Sequence, residues 1–428
     1  MVDRRAIPAA LLIGARARQP SARLGVRRFR RSRNRTAEAS HAVPTRVAIV
    51  VWCLAGLAAG AAESVVGEPP ARVRVAVRDA AGERHVDGAV VVEAADGGLL
   101  LELADQRYEA LQPAAITSRA PLPPLPPETH RDLGRRILAE LPAGFDVYVT
   151  KHYVICFDTT RDYAKWAGAL FERLHDAFVG FWRRAGLEID EPGRPLVVVI
   201  FKDRRDYEAL AAREVGAGAG QVSGYYGFLT NRVTTYDLTA AAGLPRPTGG
   251  GPGRLGLEIL ARPEAEGLVA TLVHEATHQM AFNCGMHRRL APVPLWVCEG
   301  VATYFEAPDL RSQTGWRGLG TLNRPRLDRF RRSYQAGDLE RMIRDDGRFR
   351  DPDTAVDAYA TAWALTWFLM ETRRDAFVNY VAGLAAKLPL TDYGADARLR
   401  DFAAAFGAPA DLEAAFLKHM DRVERRRP

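Results

Sequence analysis

A chain of 428 residues with 47% hydrophobic and 26% charged side chains is long enough for two or three cores and too apolar to be disordered throughout. Its formal charge of +7 is not a property of the folded part: residues 1–46 carry twelve arginines against Asp3 and Glu38, a net +10, which leaves the remainder at −3. That distribution excludes a broad polyanion-binding surface, so no nucleic-acid partner is expected.

The arginine-rich leader ends at Arg46 and is followed by an uncharged run of sixteen residues, Val47 to Ala62, that closes in small side chains. Basic residues before a short apolar run are the pattern of a secretory signal, with cleavage expected near Ala61 or Ala62. The basic region is long for a signal, so either translation begins downstream of Met1 or the segment is kept as a membrane anchor. A spanning helix needs roughly 20 apolar residues, which favours the cleaved signal. Cys53 follows Val50-Val51-Trp52 rather than a lipobox, which argues against a lipid anchor. The expected location is the periplasm, the cell envelope or the medium, with membrane attachment through residues 1–62 as the alternative.

Between residues 71 and 118, short apolar runs alternate with turn signals: Val73 to Val77, Asp79 to Gly82, Gly88 to Val92, Asp96 to Gly98, Leu99 to Leu103. Period-two patterning broken by Asp-Gly and Gly-Gly predicts hairpins in a small, barrel-like all-β module. It carries no catalytic cluster, so its expected role is to pack on the rest of the chain or to bind a partner. Residues 119–128, with Pro121-Leu-Pro-Pro-Leu-Pro-Pro127 at their centre, read as a polyproline linker that keeps two units apart.

From residue 129 to 428 the pattern changes. A short helix (129–141), a strand (147–157) and an amphipathic helix (162–185) with Trp166, Leu170, Leu174, Phe178 and Phe181 on one face come first. A buried strand (196–201) and a short helix (204–213) follow. Gly224 to Asp237 predicts a hairpin turning near Asn231, and Val233 to Tyr236 is the expected sheet edge on which an extended peptide could pair. A Gly- and Pro-rich loop (240–253) precedes a mostly helical remainder: 268–282, 295–306, 326–334, 355–371, 377–388, 399–406 and 411–425, with a helical subdomain from about residue 326. This order predicts an α+β fold with a mixed sheet.

The helix 268–282 carries His274, Glu275 and His278 in an apolar setting. Histidines four apart lie on one helical face, so both imidazoles can reach one metal ion while Glu275 projects beside it. A catalytic zinc site needs a third protein ligand. In the spacing His-Glu-x-x-His-x-x-Gly-x-x-His the glycine position is Ala281 and the third histidine position is Cys284, which disfavours that class. A glutamate from a returning helix is the other arrangement. Glu299 lies 21 positions after His278, and Glu306, two turns further on the same face, is the alternative ligand or an outer acceptor for one. Cys284 and Cys298 flank these helices and are the pair a disulfide would join, with buried free thiols equally compatible.

His274-Glu-Ala-Thr-His278 followed by Glu299-Gly-Val-Ala-Thr-Tyr304 resembles the gluzincin clan of metallopeptidases, in particular peptidase-MA-like bacterial proteins of the DUF1570 type, over roughly residues 146–388. The resemblance implies a zincin-like fold, Zn2+ as cofactor, His274, His278 and Glu299 as its ligands, and Glu275 as the general base. The stretch Asp357 to Leu369 is similar to a helix of related aminopeptidases that begins with a catalytic tyrosine, which implies that role for Tyr359. No Gly-x-Met-Glu-Asn type motif precedes the metal helix, so the implied activity is cleavage of a peptide or protein without recognition of a free amino terminus. The alternative function is a zincin-fold binding or scaffold protein at the cell envelope that has lost catalysis.

Overall fold

The computed structural model describes residues 71–79, 82–126, 128–216, 222–238, 255–256, 258–259, 261, 265–307 and 322–425, all within one compact unit. The expected leader and signal (1–62) and the loop 240–253 lie outside the described residues. No helix among the described residues is long and apolar enough to cross a membrane.

The first strands, β1 (Arg72–Asp79), β2 (Gly82–Glu93), β3 (Leu99–Leu103) and β4 (Tyr108–Leu111), form an antiparallel meander. β5 (Ile116–Leu122) folds back beside β1, giving the order β4-β3-β2-β1-β5. Val73, Val75, Val77, Val86, Leu99, Leu101 and Leu111 bury one face, while Arg74 and Arg78 stay exposed on the other, as period-two alternation requires. The edges β4 and β5 do not pair with each other, so this is an open sheet rather than the barrel-like closure expected from the sequence. The outer edge of β4 is taken up elsewhere: the Tyr108 N–H bonds to the Leu229 carbonyl at 2.7 Å. β5 runs to Leu122, paired with Arg72, so Pro121 and Leu122 belong to the sheet and not to the linker. A proline, lacking a donor, is tolerated there because β5 is an edge strand.

α1 (His130–Leu138) is capped by Thr129 in a reciprocal box with Asp132 and leads to the second sheet. β6 (Asp146–Val149), β7 (Tyr153–Phe157), β8 (Leu196–Phe201), β9 (Gly224–Gly227) and β10 (Arg232–Tyr236) lie in the order β6-β7-β8-β10-β9. The central β7, β8 and β10 are parallel and both edges are antiparallel to them. α2 (Arg161–Arg184) follows β7 and α3 (Arg204–Glu214) follows β8.

Two expectations change here. The single strand 147–157 is a hairpin, because Thr150 turns the chain: its N–H bonds to the Tyr153 carbonyl at 3.0 Å and its hydroxyl accepts the Tyr153 N–H at 3.1 Å. β10, which contains Val233 to Tyr236, is an interior strand buried along its whole length, and the edge is β9, because the hairpin folds its first strand to the outside.

The remainder is α4 (Ala265–Asn283), α5 (Leu295–Phe305), α6 (Arg324–Ser333), α7 (Asp338–Arg344), α8 (Gly347–Arg350), α9 (Ala355–Thr372), α10 (Arg374–Ala385), α11 (Ala395–Phe406) and α12 (Pro409–Arg425). α7 and α8 are too short for a period to be read and were not expected. Trp182 of α2 packs against Phe305 of α5 and Phe377 of α10, each ring pair 6.3 Å apart, and all three side chains are fully buried. Each such residue contributes roughly 1.5–3 kcal/mol. Cys156, Cys284 and Cys298 are buried free thiols, so the disulfide considered for Cys284 and Cys298 is not formed. Burial pushes the Cys284 thiol up to about 12.

The first sheet docks on the second part through the turn between β3 and β4. Gln106, buried and left-handed with φ 73°, donates to the Pro195 carbonyl at 2.8 Å and accepts from Asn231 Nδ2 at 2.9 Å. Asn231 in turn bonds to Asn283 at the end of α4. Asp105 and Arg232 form a buried ion pair at 2.8 Å, and the Arg289 guanidinium lies 3.6 Å above the Tyr108 ring. The proline segment therefore connects two packed layers and does not hold them apart.

α5 and α9 cross closely at Gly300. A Cβ there would overlap Thr366 Oγ1 and sit 3.0 Å from the Ala362 carbonyl oxygen. Gly300→Ala is expected to destabilise the protein by about 1–3 kcal/mol in denaturant unfolding, with part of the loss recovered in Gly300→Ala/Thr366→Ala; full stability in the single variant would show that the two helices can separate at no cost.

Candidate metal centre

His274 and His278 stand one turn apart on α4. That helix ends at Asn283, Gly285 takes φ 81°, and Pro292 and Pro294 carry the chain into α5, every residue of which is buried. The return brings Glu299 against the two histidines. His274 Nε2 and His278 Nε2 are 3.1 Å apart, and Glu299 Oε2 lies 3.2 Å from the first and 3.5 Å from the second. Donors bound to one ion tetrahedrally at roughly 2.0–2.1 Å are spaced about 3.3–3.4 Å, so the three atoms have the separation of a shared metal ion.

Their surroundings point the same way. The exposures of His274, His278 and Glu299 are 0%, 1% and 0%, so bulk water does not reach them. Neither oxygen of Glu299 has a hydrogen-bond partner, nor does Nδ1 of His278. A buried carboxylate without a donor is costly, and a cation between the three donors relieves it. The residues present fit a metal ion.

Glu306, weighed above as an alternative ligand, stands outside this triangle. Its Oε2 accepts from His274 Nδ1 at 3.0 Å, and its Oε1 accepts from Arg326 Nε at 2.7 Å and Asn323 Nδ2 at 3.1 Å. With Nδ1 bonded to Glu306, the nitrogen that His274 turns toward His278 and Glu299 is Nε2, as in a metal-bound histidine supported from behind by a carboxylate.

The titration of the group follows from burial against charge. Burial works against an imidazolium at His274, but Glu299 and Glu306 raise its pKa to about 10, whereas burial pushes His278 down. Burial also opposes ionisation of Glu306, and Arg326 with His274 outweighs it, holding the carboxyl at about 2. Glu275 is different: it is 1% exposed, its Oε2 accepts the Tyr226 N–H at 2.8 Å, and burial raises it to about 7.

Tyr359 of α9 comes to the same place. Its ring centroid is 6.2 Å from that of His274, and the Arg326 guanidinium lies 5.6 Å from the ring. A cavity of about 330 Å³ is lined by Val215, Phe228, Phe282, Val293 and Leu295, with none of the three donors, Glu275 or Tyr359 in its wall. Tyr226 and Cys298, the one bonded through its N–H to Glu275 and the other preceding Glu299, also form its wall. All five residues singled out in the sequence, His274, Glu275, His278, Glu299 and Tyr359, are therefore brought together. Asn323, Arg326 and Tyr226 were missed. The first two belong to an arginine-rich segment without a distinguishing pattern, and the third acts through its backbone.

Residues 268–391 match a family described as a protein of unknown function, DUF1570. The match takes in His274, Glu275, His278, Glu299, Glu306, Arg326 and Tyr359, and it begins after the strands of the second sheet. None of the curated proteins matches the chain.

With Zn2+ as the probe ion, Glu299→Ala is expected to lower binding in equilibrium dialysis by one equivalent, and Glu306→Gln to keep that equivalent at about 10–100-fold lower affinity. Undiminished binding in the first variant with loss in the second would move the third donor to Glu306.

Proposed function

We propose that this chain is a zinc-dependent peptidase of the gluzincin kind with a zincin-like fold, in which Zn2+ is held by His274, His278 and Glu299. The observation that carries the reading is that a fourth ionisable group, Glu275, stands beside the donor triangle without joining it, bonded instead to the Tyr226 N–H. A zinc ion there supplies a Lewis acid that polarises a substrate carbonyl and acidifies a water.

The remaining work falls to the chain's own groups. Glu275, with an affinity for protons matched to neutral solution, takes the proton of the attacking water and passes it to the departing amine. The Tyr359 hydroxyl donates to the carbonyl oxygen as that atom gains negative charge, sharing the load through a neutral donor. Glu306 keeps the His274 ring oriented, and Arg326 keeps Glu306 ionised. The edge strand β9 replaces Val233 to Tyr236 as the place where an extended substrate can add a strand, and the cavity that Tyr226 and Cys298 help to line suits an apolar side chain. The basic leader and the apolar run after it support an exported protein acting on peptide or protein substrates, with membrane attachment through residues 1–62 as the variant of that placement.

Zinc-loaded Glu275→Gln is expected to hold its metal and lose hydrolysis of a mixed peptide library by at least about 10²-fold, in line with the loss of a general base. Tyr359→Phe is expected to keep zinc and KM and to lower kcat about 10²–10³-fold. Cleavage by Glu275→Gln at the wild-type rate would refute the mechanism. Zinc-loaded wild type without activity on any member of the library would support the binding or scaffold alternative.

A further inference from the structure

The turn between β6 and β7, the middle of α2 and the segment joining α2 to β8 bring together a second set of donors that shares no residue with the first. His152 and His175 stack with ring centroids 3.7 Å apart and planes 20° from parallel. Each has a carboxylate at Nδ1: Glu172 Oε2 is 2.7 Å from His152 Nδ1, and Asp176 Oδ1 is 3.4 Å from His175 Nδ1. Glu172 is itself held, accepting the His152 N–H at 2.8 Å and the Thr150 hydroxyl.

With Nδ1 donating, each Nε2 is left with a lone pair. Both face Glu191 Oε2, which is 3.9 Å from His152 Nε2 and 3.1 Å from His175 Nε2. His175 is 1% exposed and its Nε2 has no hydrogen-bond partner. Two lone pairs and a carboxylate thus converge, with the three donor atoms within 4.8 Å of one another. A carboxylate behind an imidazole is also the usual outer support of a metal-bound histidine. Burial and the neighbouring His152 hold the His175 imidazole below its ordinary pKa, which favours the neutral, ligating form over an imidazolium paired with Glu191.

We propose that His152, His175 and Glu191 form a second metal site, which takes a divalent first-row transition ion such as Zn2+ through two imidazoles and one carboxylate. Glu191 is the movable member: its side chain is 52% exposed, and its other oxygen is 3.3 Å from Arg183 Nη1. The ion clips three separate parts of the chain. One of them is tied to the end of α4, because the Asp190 N–H bonds to the Cys284 carbonyl at 3.0 Å. Its role is therefore to brace the helix that carries His274 and His278, and it holds whether or not the chain is a peptidase.

The test is the zinc content of the full chain after equilibration with Zn2+ and desalting. Wild type is expected to hold two equivalents and His274→Ala/His278→Ala one. In that double-variant background, Zn2+ is expected to raise Tm by at least about 2 °C, and adding His175→Ala to remove the rise. Glu191→Gln changes an exposed side chain, so Tm in EDTA is expected to stay unchanged while zinc affinity falls at least about 10-fold. Because these readouts are taken without the first triangle, failure of the peptidase reading does not reach them. A His274→Ala/His278→Ala chain that binds no Zn2+, or one whose binding is indifferent to Glu191→Gln, overturns the proposal.

Discussion

Glu299 sits in a helix buried on every side, its Oε2 facing two imidazole nitrogens at 3.2 and 3.5 Å and neither oxygen hydrogen-bonded. Taking a carboxylate out of water costs several kcal/mol even after the protein relaxes, so positive charge must gather around it. The rest of the centre can be traced outward from that demand as shells of alternating sign. The imidazoles face the carboxylate; Glu306 turns the far side of His274; Arg326 and Asn323 hold Glu306. Each layer makes the next one necessary, because a charge buried without a counterpart is worse than no charge at all.

The same logic explains why Glu275 differs from its neighbours. It is as deeply buried as Glu306, yet among the described residues its one donor is a backbone amide and no guanidinium stands against it. A carboxylate so placed holds its proton more readily than one paired with an arginine, and it is the member of the cluster best suited to move one. Two acids a few residues apart in space are set to different tasks by what lies behind them rather than by their own chemistry.

How much of this was legible in the sequence depends on whether a residue acts through its spacing or through its place in space. His274, Glu275 and His278 declare themselves by a helical interval, and Glu299 by its distance along the chain. Tyr359 came only through resemblance. Arg326 could not be found, because Arg324 to Ser333 contains five arginines that look alike until the fold selects the one that meets Glu306. Tyr226 contributes an N–H that almost any residue has. The order of strands was hidden for a related reason: Val233 to Tyr236 reads as a strand, but nothing in its pattern says that β9 lies outside it. The turn at Thr150 was missed because Thr150-Lys151-His152 lacks the glycine, proline or asparagine that usually marks one. His152 and His175 stand at no recognisable interval from a partner, so nothing in the sequence marks them.

The docking of the first sheet bears on where this protein can be cut. A fragment starting at residue 129 would strip Asp105 from Arg232 and both Gln106 and Tyr108 from Arg289, leaving two guanidiniums poorly matched in the interior. A fragment starting at residue 268, where the family match begins, would also lose β9 and β10, on which α4 rests. The boundary at which the match begins is thus not a seam along which the molecule comes apart. The match marks out the helices around the centre, while the packing on which they rest extends to a hairpin turn at Gln106, 159 residues upstream of Ala265 at the start of α4.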